Sequence, residues 1–261
     1  MRDYNDRSIE KRRYDQIALE KFSDPLFKSN DGRGFRSVVP SLRDPYVFYY
    51  WQVRKAIAGV TRLTVLELAC GTGEFSSIAI SHRSNFVGLD ISEKSLQKLT
   101  SRYDESSSVQ VILGDIQSIP LESNSVDICL CAGGLSYGDN QLVIREISRV
   151  LSSTGKLICV DSFNHNPIYK FNRWLHLLRG NRSKGTLQRM PSYKTINLLE
   201  KYFGEVTVSH FGTLSFLIPV LSLLLSPRVI RKIIRWGDAK RLLDKWAFKI
   251  VVVAQVKSRR A

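Results

Sequence analysis

The chain has 261 residues, 43% of them hydrophobic and 24% charged. That is the make-up of one large globular domain, or a domain with a small appendage, and it excludes a disordered or fibrous chain. The formal net charge of +15 is unevenly spread, since residues from 162 onward carry 19 Lys+Arg against 4 Asp+Glu while the first 161 residues carry 20 of each.

A neutral front joined to a basic back implies that the back faces something anionic: lipid headgroups, a phosphorylated substrate or nucleic acid. The N-terminus is polar and mixed in charge, without the apolar core of a signal peptide, so cytoplasmic residence is the expectation. Residues 1–43 are punctuated by Gly32, Gly34 and Pro40 and read as an N-terminal cap segment with a short helix at 14–22. A helix then opens with Asp44 as N-cap and Pro45 at its first helical position.

From residue 63 the pattern alternates. Strands are expected at 63–68, 85–90, 109–114, 126–132 and 156–161, with helices at 74–81, 92–103 (capped by Ser92) and 141–151. Strands apolar on both faces, separated by helices, predict a doubly wound, mostly parallel α/β sheet covered on both sides. Cys70, Cys129, Cys131 and Cys159 fall in or beside these strands without a C-x-x-C pair, and read as buried free thiols rather than metal ligands.

After residue 161 the rhythm changes. Residues 162–190 form a basic insert with a helix at 167–178, followed by a helix at 192–203 and a strand at 205–211. Residues 213–246 separate that strand from the last apolar run, 248–256. Two closing strands are usually joined by a short hairpin; this connection is long enough to need helices of its own, a helical lid insertion before the last strand.

The strongest motif is Val65-Leu66-Glu67-Leu68-Ala69-Cys70-Gly71-Thr72-Gly73. A buried strand ends in an acid and two glycines before a helix begins, and the glycines let the backbone turn sharply against a ligand at the carboxyl end of the sheet. The third glycine of a dinucleotide fingerprint falls at Ser76 instead, and Glu67 would repel a pyrophosphate while suiting a ligand that carries an ammonium. This stretch resembles the first motif of the class I S-adenosylmethionine-dependent methyltransferase superfamily. The resemblance covers about residues 63–161 and continues in order. Asp90, 17 residues after Gly73, ends the second strand, where a carboxylate can accept both ribose hydroxyls.

Asp115 follows the third strand, and its counterpart in the family accepts from the adenine amino group. Asp127 and residues 131–136 resemble the fourth strand, which runs beneath the methionine moiety. What the resemblance implies is a Rossmann-like methyltransferase fold of seven strands with S-adenosyl-L-methionine as cofactor. The cofactor would be held by Glu67, Ala69, Gly71, Gly73, Asp90, Ile91, Asp115, Ile116 and Ala132. Each aspartate by itself also reads as a cap or turn residue.

A base for an alcohol acceptor is sought after the fifth strand. His165, an imidazole able to take up a proton, stands where a substrate would meet the cofactor's edge, although His165 and Asn166 also suit a helix cap before Pro167. Asp161 and Tyr137 are further candidates for the catalytic set, and no metal site is expected. Where enzymes methylating nucleic-acid bases carry N/D-P-P-Y, this chain has Ala132-Gly133-Gly134-Leu135-Ser136-Tyr137, which weighs against base methylation.

Residues 214–225 are apolar but broken by Pro219 and shorter than the ~20 residues of a membrane span. In the next stretch Val229, Ile230, Ile233 and Ile234 share one helical face opposite Arg228, Arg231, Lys232 and Arg235, and Leu242, Leu243 and Trp246 repeat the design among Lys240, Arg241 and Lys245. Such helices suit an anionic membrane surface, or a lid whose basic face is solvated, and the two are compatible. Nucleic acid is a third partner for the same residues. With His165-Asn166-Pro167-Ile168-Tyr169 and Leu178-Arg179-Gly180, this late segment resembles uncharacterised methyltransferases of polysaccharide and lipid-glycan synthesis and, distantly, quinone C-methyltransferases.

The sequence reading is therefore a methyltransferase acting on a hydroxyl of a small lipophilic, glycan or lipid-linked substrate. It would be cytoplasmic and peripheral to the inner face of the membrane, with Tyr14, Arg36 and residues 214–246 covering the site. The alternatives are an RNA or protein methyltransferase gripping its target with the basic half, and a non-catalytic adaptor on the same fold.

Overall fold

The computed structural model describes residues 8–12, 15, 43–80, 84–103, 109–178 and 184–257. Tyr14, Arg36 and the helix expected at 14–22 lie outside the described residues, apart from Asp15 at one position of it. Helix α1 (Asp44–Ile57) leads into β1 (Thr64–Leu68), α2 (Ser77–Ile80), β2 (Asn85–Asp90), α3 (Glu93–Arg102) and β3 (Val109–Leu113). Next come β4 (Val126–Ala132), a 3-10 turn (Leu135–Tyr137), α4 (Asn140–Val150) and β5 (Leu151–Ser162). The basic half supplies α5 (Pro167–Leu178), α6 (Lys184–Arg189), α7 (Tyr193–Tyr202), β6 (Phe203–Phe211), α8 (Ile218–Leu221), α9 (Pro227–Asp238) and β7 (Lys249–Val256).

The seven strands form one sheet in the order β3-β2-β1-β4-β5-β7-β6. Strands β1 to β5 pair in parallel, while β7 runs antiparallel to both β5 and β6. Neighbouring side chains on a strand point to opposite faces, and two cores result. Leu66, Leu68, Cys129, Cys159 and Ile250 pack on the face covered by α4 and α7, with Ile144 and Leu199. Val65, Leu130, Ile158 and Val251 pack on the other face against Tyr49 and Val53 of α1 and Leu99 of α3. All four cysteines are buried and unpaired.

Local capping explains several helix starts. Ser92 Oγ accepts from Ser95 N at 3.1 Å, and Asp139 accepts from Gln141 N and Leu142 N, satisfying amide groups that the first turn leaves without partners. The start of α1 differs from expectation. Arg43 occupies the N-cap but its side chain makes no capping hydrogen bond, and Asp44 lies inside the first turn. Its carboxylate is taken by Arg231 and by Arg235 Nε at 2.6 Å, which tie α1 to α9. Burial pushes this carboxyl up, but the two guanidiniums outweigh it and hold its pKa below the ordinary value.

The helix expected at 74–81 shrinks to α2, because residues 71–76 continue the glycine turn and Ser76 reaches back to Glu67. Strand β5 begins at Leu151, directly after α4, and is longer than 156–161. The β6–β7 connection is helical as expected, with 3-10 turns at Ser215–Leu217 and Arg241–Trp246 beside α8 and α9.

Candidate functional site

In an open α/β sheet the carboxyl ends of two strands diverge where the strand order reverses, and ligands bind in that crevice. Here the reversal lies between β1 and β4. The chain leaves β1 through left-handed residues at Ala69 (φ 50), Gly71 (φ 52) and Gly73 (φ 77), which fold it back over the strand end. Gly73 is packed, since a Cβ there would meet Leu99 and Tyr103 at 3.1 and 3.2 Å. Gly71, and Gly133 after β4 (φ 81), are different: a Cβ at either would meet nothing within 4 Å. At both turns the backbone therefore faces open space.

Asp90, at the tip of β2, closes the neighbouring side. Its Oδ2 accepts from Gly71 N at 2.9 Å and its Oδ1 from Ser92 N at 2.9 Å, so one carboxylate fixes both the glycine turn and the start of α3. Ser92 Oγ also donates to Asp15 at 2.5 Å. Burial raises the pKa of Asp90, opposed by the amides of Ser92 and Gly71. With the Ile91 amide these are three backbone bonds to a carboxylate that has about four acceptor positions, so acceptor capacity remains. Ile91 follows, half-buried.

Past β3, Asp115 Oδ1 accepts from Gln117 N at 2.8 Å, and Gln117 Oε1 in turn accepts from Asp139 N at 2.8 Å. Ile116 is 5% exposed and spent in the core with Leu89 and Ile119, so a ligand would meet its backbone. Ala132 ends β4, half-buried, immediately before Gly133.

Glu67 lies one layer beneath the turn and is 1% exposed. It accepts from Ser76 Oγ. Burial pushes its pKa to about 8, against the Ser76 bond and helped by the charge of Asp90; the carboxyl is therefore largely protonated at neutral pH. Tyr49 of α1, fully buried beside it, has a hydroxyl with no hydrogen-bond partner. Asp127 is not part of this region: its Oδ2 accepts from Thr64 N at 2.9 Å, at the opposite end of β1.

The three catalytic candidates meet the edge differently. Asp161 is 2% exposed, and its carboxylate accepts from Leu135 N at 3.0 Å and Ser162 N at 2.6 Å, pinning the turn after β4. Burial raises its pKa, opposed chiefly by the charge of Lys249. Tyr137 is half-buried at the end of that turn, packed on the core. His165 is exposed, its ring edge-on to Tyr193 at 4.8 Å. Capping of α5 belongs to Asn166 alone, whose Oδ1 accepts from Ile168 N at 2.9 Å while its Nδ2 donates to Trp246 O at 2.9 Å.

One residue the sequence did not flag joins this end of the site. His210, near the end of β6, lies in the same cross-strand row as Ile250 of β7 and Asp161 of β5, about 10 Å from Asp161 at ordinary strand spacing. Its ring is edge-on to Phe163 at 5.5 Å, and Phe163 also meets Tyr193 and His165. Asp244 Oδ2 faces Nδ1 at 3.4 Å, and the buried Nε2 has no partner. Burial lowers the pKa of His210, opposed by Asp244. A histidine on an edge strand carries no local signal; only the strand register brings it beside Phe163.

Several known proteins are similar to this chain. Residues 66–159 match the family model described as a methyltransferase domain. Over 129 residues the chain is 30% identical to demethylmenaquinone methyltransferase of Lactococcus lactis subsp. lactis (strain IL1403), covering 46% of this chain and 51% of that protein. The chain thus spans about half the length of the curated relatives it matches.

Among solved structures it resembles a putative sarcosine dimethylglycine methyltransferase from Galdieria sulphuraria, with TM-score 0.59, 13% identity, and 94% and 99% of the two chains covered. It also resembles geranyl diphosphate C-methyltransferase from Streptomyces coelicolor A3(2), solved with Mg2+, geranyl diphosphate and S-adenosyl-L-homocysteine. That match has TM-score 0.56 and 13% identity, covering 95% of this chain and 97% of the other. At these identities the structural likeness establishes the fold.

Proposed function

The chain carries a class I S-adenosylmethionine-dependent methyltransferase domain, and from that premise we propose that it methylates a hydroxyl of a small lipophilic, glycan or lipid-linked acceptor. The observation that carries the reading is the junction of the Gly71 amide with the Asp90 carboxylate, 2.9 Å apart, at the strand reversal. The residues there fit an adenosyl-sulfonium ligand. The backbone at Gly71 and Gly133 faces open space, the Asp90 carboxylate keeps acceptor capacity for a ribose hydroxyl, and Asp115 stands where an adenine amino group can donate. Ile91 and Ile116 flank the nucleoside, while Glu67, Ala69, Gly73 and Ala132 shape the methionine end. A cationic ligand nearby would draw Glu67 toward its ionised form.

When bound, the cofactor supplies an electrophilic methyl group. The chain's own task is to hold the acceptor in line and to remove its proton. We assign the base to His210. Asp244 faces Nδ1 and favours the tautomer with its proton there, so Nε2, buried here without a partner, is the nitrogen left to take the proton once the acceptor displaces the side chains that cover it. His165, the base expected from the sequence, stands exposed at the rim of the same aromatic group and is the second candidate for this role. Asp161 and Tyr137 hold the turn that separates acceptor from cofactor. On this reading the chain works in the cytoplasm, peripheral to the inner face of the membrane, and the β6–β7 helices act as a lid.

The test uses S-adenosylmethionine labelled in its methyl group, incubated with the protein and a detergent-solubilised lipid extract. Label that enters organic solvent and is released by hydriodic acid as methyl iodide supports an O-methyl product. Label held in an acid-stable carbon bond, or found only in RNA or protein, refutes the acceptor assignment. Replacing His210 by Gln should lower turnover by about 10²–10⁴ while S-adenosylhomocysteine affinity stays unchanged.

A further inference from the structure

The sequence pattern points the apolar face of α9 toward lipid or toward the sheet, and the structure separates the two. Ile230 and Ile234 are 3% and 2% exposed, and Gly237 sits against Leu214 and Thr213. That face is spent inside the molecule. Val229, which the sequence pattern puts on that face, is instead left in water, together with Val220, Leu223 and Leu224 before α9, Trp236 on it and Leu242 after it. Leu223 and Leu224 are each 82% exposed and Leu242 is 90% exposed, far beyond what a solvated surface needs from leucine, and they cluster within one short segment.

Val229, Lys232 and Trp236 stand at i, i+3 and i+7, and so share one stripe of α9. Lys240 lies over the Trp236 ring at 5.5 Å.

The charges agree. Residues 213–246 contain seven Lys+Arg and two acids, Asp238 and Asp244. Both acids are engaged: Asp238 accepts from Gly212 N and Thr213 N at 3.0 and 2.9 Å, and Asp244 faces His210. Arg231 and Arg235 are held by Asp44, whereas Arg228, Lys232, Arg241 and Lys245 make no ion pair among the described residues. Free positive charge alternating with exposed leucine and tryptophan is the chemistry of an interfacial anchor on anionic lipid. A nucleic-acid groove would have little use for three leucines in water. No described helix is long and apolar enough to cross a membrane.

We propose that residues 220–242 form a docking surface for an anionic bilayer, with Leu223, Leu224, Trp236 and Leu242 entering the headgroup layer and Lys232, Arg228 and Arg241 meeting acidic headgroups. This deepens the peripheral placement in the functional reading and rests on it for the kind of surface met, but vesicle binding itself needs no methyl transfer. The test is co-sedimentation of the full chain with phosphatidylcholine vesicles containing about 30% phosphatidylglycerol, near physiological salt.

Wild type should pellet with these and at least tenfold less with pure phosphatidylcholine. Leu223→Glu combined with Leu224→Glu should lower anionic-vesicle binding at least tenfold, with unchanged melting temperature and S-adenosylhomocysteine affinity, since both side chains are in solvent. Lys232→Glu should weaken binding in a salt-dependent way. A wild type that stays in the supernatant, or a leucine double variant that pellets as wild type does, overturns the proposal. Tight RNA binding lost in the Lys232 variant, without vesicle binding, assigns the surface to nucleic acid instead. S-adenosylhomocysteine affinity, read separately, reports on the cofactor site whichever way the vesicles behave.

Discussion

Replacing Glu67 by Gln probes the layer beneath the glycine turn. In the folded chain this carboxyl titrates near pH 8, against 4.5 for an ordinary glutamate, because burial disfavours the charged form. Between those limits the folded state holds a proton that the unfolded state has lost. The stability this confers is fully present below pH 4.5 and disappears as pH rises through 8. The slope is about 1.4 kcal/mol per pH unit, to a total of at most about 5 kcal/mol.

Gln keeps the oxygen that accepts from Ser76 Oγ and cannot ionise. The Glu67→Gln variant should therefore match wild type near pH 4.5 and exceed it increasingly toward pH 9. For a chain of this size the gap corresponds to about 10 °C in melting temperature. The assay is thermal unfolding of both proteins from pH 5 to 9, reading the difference between them so that titrations common to both cancel. A difference that stays flat across the range would show that Glu67 is already ionised at neutral pH, and the argument from its burial would be wrong.

Other expectations follow from the same contacts. Gly71→Ala puts a Cβ on a left-handed residue and into the open space beside it, so it should cost about 1–2 kcal/mol of stability and weaken S-adenosylhomocysteine binding at least tenfold by calorimetry. Asp90→Ala removes the acceptor for Gly71 N and Ser92 N; it should lower stability by about 1–3 kcal/mol as well as abolish cofactor binding, whereas Asp90→Asn should keep more of the fold. Asp44→Ala leaves Arg231 and Arg235 without a carboxylate and should loosen α9 from α1, which limited proteolysis between β6 and β7 would detect as faster cleavage.

The strand–helix alternation, the glycine turn and the Ser92 cap are local features, set by period-two apolarity and by residues a few positions apart, and the sequence made them legible. So was the need for helices between residues 213 and 246, which follows from chain length alone. What was not legible depends on distant register. Asp44 looks like a helix cap until Arg231 and Arg235, 187 and 191 residues away, claim its carboxylate. Asp127 carries the same charge as Asp90 yet serves the amino end of β1.

His210 gains its neighbours only because β6 pairs with β7 in one register. Helix α9 is amphipathic, but Val229, which periodicity puts on its apolar face, stands exposed at the edge of that face, and periodicity does not say which neighbour buries the rest. Packing of Ile230 and Ile234 inside the protein, with Leu223, Leu224 and Leu242 outside, is a tertiary fact.

The most direct measurement is a crystal structure of the protein with S-adenosylhomocysteine. Ribose hydroxyls within about 3 Å of the Asp90 carboxylate, with the adenine edge toward Asp115 and the homocysteine chain crossing between Gly71 and Gly133, is the predicted result. Density for the ligand elsewhere, or a nucleoside that touches neither acid, would contradict the account.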